Sequence, residues 1–173
     1  MAAYIISIDQ STQGTKALLF DETGTIVRRT DCAHRQIVNE KGWVSHDPEE
    51  IYRNVLTVVS KLLEGIDANC VVGVGISNQR ETTVAWNKIT GKPYGNAVVW
   101  QCARATKICE RESIVLMADA IQKKTGMNLS PYFPAAKLTW ILENEEGAKE
   151  AAGKHEICHG TIDRKSTRLN SSH

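Results

Sequence analysis

Two short stretches of this chain set charged and hydroxylated side chains where they can do chemistry. The first is Ser77-Asn78-Gln79-Arg80-Glu81-Thr82-Thr83. Arg80 offers a planar fork of donors and Glu81 offers only acceptors. Side by side they can grip a polyhydroxylated ligand, each hydroxyl donating to the carboxylate and accepting from the guanidinium. The same pair also describes an ordinary exposed ion pair of small energetic weight. The second stretch is Asp9-Gln10-Ser11-Thr12-Gln13-Gly14-Thr15-Lys16. Backbone N–H groups in such a turn, with Thr12, Thr15 and Lys16 pointing outward, make a cradle for phosphate oxygens, and Asp9 at a strand end suits a hydrated Mg²⁺. It is not the Gly-x-x-x-x-Gly-Lys-Ser/Thr loop that precedes a helix, and a plain hairpin loop would use the same residue types. Trp100 is either core filling or a flat wall for the carbon face of a polyol. Tyr132 lies between Pro131 and Pro134, in a loop stiff enough to aim a side chain.

These groups need elements to hold them. Residues 71–76 are short, apolar and β-branched, so they read as a buried strand, and the C-terminal end of such a strand is where ligands bind in open α/β sheets. Residues 4–8, 16–21 and 25–30 read as three strands of an antiparallel meander, with the stretch from Asp9 to Lys16 at a hairpin tip. Asp47 as N-cap, Pro48 at the first helical position and Glu50 closing a capping box begin a helix. Its apolar face, Ile51, Val55, Val58, Val59 and Leu62, should pack on the sheet. His46, beside that cap with no partner visible in the sequence, reads as structural. Residues 82–87 and 97–100 read as strands, 103–124 as a helical region loosened around Glu112-Ser113, 135–144 as an amphipathic helix, and 155–163 as a strand and turn. His155 and His159 are four apart, but the β-prone residues between them and Gly160 argue against one helix face, so no metal site is expected there.

A length of 173 residues suits one domain with a real core. A net charge of +1 with both signs interspersed gives no nucleic-acid or membrane surface. The five cysteines are odd in number and form no Cys-x-x-Cys pair, which disfavours a disulfide framework and a zinc site and fits reduced thiols. With no basic leader and no long apolar segment at the N-terminus, a cytoplasmic protein is expected.

Longer runs of sequence carry a resemblance. Gly75-Ile76-Ser77-Asn78-Gln79-Arg80-Glu81-Thr82-Thr83, Gly91-Lys92-Pro93, Asn96-Ala97-Val98-Val99-Trp100-Gln101-Cys102 and Gly42-Trp43-Val44-Ser45-His46-Asp47-Pro48 resemble, in sequence and order, the N-terminal part of the FGGY carbohydrate kinases, especially the members that phosphorylate glycerol. The similarity extends over about residues 4–163. It implies an α/β, actin-like or ribonuclease-H-like ATPase domain, with a mixed β-sheet of antiparallel meander and parallel strands flanked by helices. It further implies two such domains around a cleft, with ATP and Mg²⁺ on one side and the polyol on the other. Arg80, Glu81, Trp100 and Tyr132 match the family's polyol-holding positions; Thr12, Thr15 and Lys16 match its phosphate loop, and Asp9 its metal position. The family's general base is an aspartate in the second domain, so no catalytic residue is expected within residues 1–163, and Glu81 is assigned to binding.

Two departures bear on the expected activity, ATP-dependent phosphorylation of glycerol to glycerol 3-phosphate. Members acting on glycerol usually read Asp-Gln-Gly-Thr-Thr-Ser-Ser-Arg at the phosphate loop, and Lys16 keeps that charge without the bidentate fork. Another small polyol or ketose therefore stays open as substrate. Residues 164–173, Arg-Lys-Ser-Thr-Arg-Leu-Asn-Ser-Ser-His, match nothing in the family and read as a non-native, disordered tail fused at a truncation point. The expectation is an N-terminal fragment, inactive alone, of an enzyme for which homo-oligomers are compatible. A non-catalytic actin-like nucleotide-binding module is the rival class, and the combination of Arg80, Glu81, Trp100 and Tyr132 speaks against it, because such a module has no use for a polyol pocket.

Overall fold

The structure is a computed structural model that describes residues 3–163; the expectation for the tail at 164–173 falls outside them. The strands are β1 (Tyr4–Gln10), β2 (Gly14–Phe20), β3 (Ile26–Ala33), β4 (Gln36–Val38), β5 (Val44–His46), β6 (Val71–Asn78), β7 (Thr83–Asn87), β8 (Ala97–Val98) and β9 (Ile157–Thr161). The helices are α1 (Pro48–Leu62), α2 (Thr106–Cys109), α3 (Glu112–Val115), α4 (Ala118–Thr125), α5 (Pro134–Asn144) and α6 (Ala148–Gly153). The expected meander is present, and β6 joins the free edge of β1 in parallel, giving a mixed sheet ordered β3-β2-β1-β6. A second, antiparallel sheet is ordered β4-β5-β8-β7-β9.

Helix α1 ties the two sheets together. Val55, Val58 and Leu62 pack with Ile6, Ile8, Ala17 and Leu19 of the mixed sheet, while Ile51, a turn earlier on the same face, packs with Val84, Trp86, Ala97 and Ile162 of the other. Each buried Ile, Val or Leu side chain among them stabilises the fold by roughly 1.5–3 kcal/mol. The Asp47 carboxylate accepts from the Glu49 N–H at 2.8 Å, as an N-cap should. The expected capping box is not completed by Glu50, whose carboxylate instead accepts from the Arg35 N–H at 3.1 Å. A donor in the loop before β4, brought near by the fold, takes the place of the helix's own first amide.

Other expectations change because tertiary neighbours decide burial. β6 reads in sequence as a buried strand, yet it is the last strand in its sheet and Val72 and Val74 are exposed. β7 is buried on both faces: Val84 and Trp86 pack with Ile51 of α1 and with Ile162 on one, and Ala85 packs with Ile141 of α5 on the other. The helical region at 103–124 is three short helices, and Val115 at the end of α3 and Leu116 and Met117 after it are exposed. Apolar residues there have no surface to bury against, so helical periodicity alone does not sustain one long helix.

The β1–β2 turn depends on Gly14. A Cβ placed there would lie 2.6 Å from the Cys32 carbonyl oxygen of β3 and 3.0 Å from Ala33 Cα, both backbone atoms. Gly14→Ala must therefore push two strands apart, and a loss of about 1–3 kcal/mol is expected. A urea melt reads it as a lowered midpoint at unchanged slope, and an unchanged midpoint would show that β3 yields freely.

Candidate active-site half: a hairpin loop against an aromatic wall

The hairpin is tighter than its sequence suggests, because the ladder continues through Asp9↔Lys16 and Gln10↔Thr15. The loop is closed by the Ser11 N–H and hydroxyl, both donating to the Gly14 carbonyl at 2.9 Å. Strand alternation then separates neighbours. Lys16 is exposed, whereas Thr15 points into the core, fully buried, its hydroxyl enclosed and without a hydrogen-bond partner. The expectation that Thr15 points outward to phosphate is thus corrected: a residue in register with buried Gln10 shares its inward face. On the outward face, Ser77, Asp9, Lys16 and Asp31 form one row across four strands.

Within that row the Ser77 hydroxyl donates to Asp9 Oδ1 at 2.8 Å. One carboxylate oxygen is thereby oriented, and no described residue engages the other. A Mg²⁺ ion is commonly held by one or two carboxylates together with substrate phosphates and water. Asp9 fits that mode. Among the described residues, no three His, Cys, Asp or Glu side chains assemble into a metal cage.

Arg80 and Glu81 occupy the turn between β6 and β7. Among the described residues no ion pair joins them, so the plain surface-pair reading does not apply. Glu81 has φ 66°, in the left-handed region that costs a non-glycine residue energy, and such strain collects at functional turns. The neighbouring Thr82 is fully buried and its hydroxyl accepts from the Trp100 backbone N–H at 3.1 Å. Trp100 in turn meets Tyr132 edge to face, ring centroids 6.2 Å apart. The Trp100 indole N–H donates to Thr12 Oγ1 at 3.0 Å. The aromatic pair therefore touches the β1–β2 hairpin directly. Thr12 and Trp100 also border a cleft of about 510 Å³, together with Gln13, His34, Gln36 and Gln101.

Two features of this region escape a reading of the sequence. Lys137 on α5 is fully buried; its ammonium donates to the Tyr132 carbonyl and lies 5.5 Å from the centre of the Tyr132 ring. Burial pushes its pKa down to about 8, against the opposing pull of Glu81. The only sequence signal was a lysine directly before Leu138 in an amphipathic helix, which ordinarily means a solvent-facing position. The second feature is the partner that His46 lacked in sequence. Its Nδ1 lies 3.1 Å from Gln79 Nε2, and its ring meets that of His34 at 4.5 Å. Burial first, then His34, pushes its pKa down to about 4.

A mixed sheet in which a parallel strand extends an antiparallel meander, flanked by helices, is the arrangement of an actin-like ATPase domain, and solved structures share it. The crystal structure of Plasmodium falciparum glycerol kinase with ADP matches at a TM-score of 0.85 and 35% identity, covering 95% of this chain and 33% of that one. Gluconate kinase from Lactobacillus acidophilus matches in fold at a TM-score of 0.80 and 24% identity, covering 96% of this chain and 32% of that one. Residues 4–167 match the N-terminal domain of the FGGY family of carbohydrate kinases, and the chain belongs to that family. Glycerol kinase 1 of Thermotoga maritima is 49% identical over 162 residues, which cover 92% of this chain. The chain spans about a third of the length of the curated relatives it matches.

Proposed function

We propose that this chain supplies one wall of the active site of an enzyme that transfers the γ-phosphoryl group of ATP to a primary hydroxyl of glycerol. The observation that carries this reading is the Trp100 indole hydrogen bond to Thr12, which brings the proposed polyol wall into contact with the proposed phosphate hairpin. Phosphoryl transfer asks the protein mainly for positioning and charge stabilisation. Arg80 and Glu81 hold the glycerol hydroxyls, Trp100 and Tyr132 flank the carbon skeleton, and Thr12 with Lys16 offers donors to phosphate oxygens. Mg²⁺ held at Asp9 supplies neutralisation of phosphate charge. The general base is the family's aspartate, which lies beyond residue 163 in this reading, in a second domain that completes the cleft. A cytoplasmic enzyme fits this chemistry, and the relatives named glycerol kinase favour glycerol over other polyols.

The test is glycerol titration of the purified chain, followed by the Trp100 indole resonance. The chain is expected to bind glycerol weakly and to form no glycerol phosphate from ATP and Mg²⁺; turnover by the chain alone would displace the second-domain base. Arg80 is exposed, so Arg80→Ala is expected to weaken glycerol binding at least tenfold with an unchanged Tm. Glu81→Gly separates binding from folding. It relieves roughly 1–2 kcal/mol of left-handed strain and gives back about 0.5–1 kcal/mol in unfolded-chain entropy. The variant should melt no lower than the parent while losing glycerol binding. Retained binding would remove Glu81 from the site.

A further inference from the structure

We propose that Gln79, a buried residue with no place in the binding roles above, is the positioning residue that locks the polyol wall to the phosphate hairpin. The proposal rests on the reading of those two halves as one site, but its geometry stands by itself. Gln79 is buried between the end of β6 and the Arg80-Glu81 turn. Its backbone N–H donates to the Gln10 carbonyl of β1 at 2.7 Å. Its side-chain Oε1 accepts from the Thr82 hydroxyl at 2.9 Å, and that hydroxyl accepts from the Trp100 backbone N–H. Its Nε2 faces His46 Nδ1 at 3.1 Å and the Ser11 carbonyl of the hairpin tip at 3.4 Å. The hairpin is held from the other side by His34, whose Nε2 lies 3.0 Å from the Thr12 carbonyl and whose backbone N–H donates to the Gln13 carbonyl.

The links close into a ring: Gln79 to Thr82, Thr82 to Trp100, Trp100 to Thr12, Thr12 and Gln13 to His34, the His34 ring against His46, and His46 back to Gln79. Hydrogen bonding gives the ring a direction. A hydroxyl that accepts from the Trp100 amide has its proton free for Gln79 Oε1, which turns the carboxamide NH₂ toward His46 and leaves Nδ1 of His46 as acceptor, its proton on Nε2. A carboxamide is suited to this corner because it presents acceptor and donor at once. The outer ring nitrogens, His46 Nε2 and His34 Nδ1, are buried without a hydrogen-bond partner among the described residues, so the links through Gln79 and Thr82 hold the geometry of the corner, and small misplacements of reacting groups carry large rate penalties. Gln79 thus sets the spacing between the glycerol grip that follows it in sequence and the hairpin it bonds across the sheet.

The test uses the full 173-residue chain without ligand. In Gln79→Met, which keeps length and removes both polar ends, hydrogen exchange of the Trp100 indole N–H is expected to quicken at least tenfold while amides in the β1–β2 ladder keep their protection. Gln79→Glu retains the acceptor for Thr82 and loses the donor, so His46 should move its proton to Nδ1, read from ring ¹⁵N shifts, and the Trp100 indole should exchange at a rate between parent and Gln79→Met. If Gln79→Met fails to fold, the His46 tautomer in Gln79→Glu decides. An unchanged Trp100 exchange rate, an unchanged His46 tautomer, or equal loss of protection along the whole chain would each overturn the proposal. Glycerol titration of the parent chain tests the polyol reading separately: absence of binding there leaves the exchange result intact.

Discussion

Acidification from pH 6.5 toward 4 is expected to remove about 3 kcal/mol of folding stability through His46. The folded state holds its pKa down to about 4, whereas an unfolded histidine titrates near 6.5. Between those values the unfolded chain binds a proton that the folded chain refuses, so stability rises with pH across this window and is fully present above it. The cause is structural. The ring is fully buried, which disfavours its charged form most, and His34 beside it disfavours a second positive charge. His34 adds to the slope in the same direction, its pKa lowered by burial against the opposing Thr12 carbonyl and Glu50. Glu145 opposes it, since burial raises that carboxyl and folding then favours its protonation. Asp21, Glu143 and Glu150 are held below the usual carboxylate range and lose their contribution only at lower pH. Urea melts between pH 7 and 4.5 measure the slope, and His46→Gln should flatten it by more than half. An equal slope in parent and variant would assign the acid sensitivity elsewhere.

Lys137→Met should make the chain more stable and the polyol site worse. At neutral pH the lysine is charged inside the protein, and a pKa depressed from 10.5 to about 8 means that folding works against that charge by roughly 3 kcal/mol. Methionine fills similar space without the charge. The loss of the ammonium bond to the Tyr132 carbonyl costs about 1.5 kcal/mol or more, leaving a net gain of at most roughly 1.5 kcal/mol. The depressed pKa also fixes the direction of the parent's pH dependence: its stability grows as pH rises from 8 to 10.5, and the variant should lack that limb. The same ammonium holds the loop that carries Tyr132 and lies near enough to Glu81 to feel its charge. Glycerol affinity should therefore fall severalfold in Lys137→Met, in contrast to the rise in Tm. If affinity and stability rise together, Lys137 has no part in shaping the site.

Much of the candidate site's local geometry was legible because its logic is local. The alternating strands around Asp9 and Lys16, the glycine at the turn and the adjacent cation and carboxylate at Arg80-Glu81 are nearest-neighbour patterns, and the structure keeps each of them. Thr15 was misread for the opposite reason. Whether the ladder runs one pair further decides whether a threonine faces solvent or core, and that depends on Gln10 across the strand and Gly14 against β3. Glu50 was misread likewise, since its hydrogen-bond partner lies 15 residues away.

By itself the sequence determined the main strands, helices α1 and α5, the family resemblance and the residue types available for binding, because propensity, periodicity and motif spacing act over a few residues. Only the tertiary structure decided which of those residues meet. The bond from Trp100 to Thr12 spans 88 positions, that from Gln79 to His46 spans 33, and the burial of Lys137 follows from how α5 packs. Contacts of that range depend on how two sheets are docked by α1. A side chain's burial, and with it the charge state of His46 and Lys137, is a property of its neighbours in space.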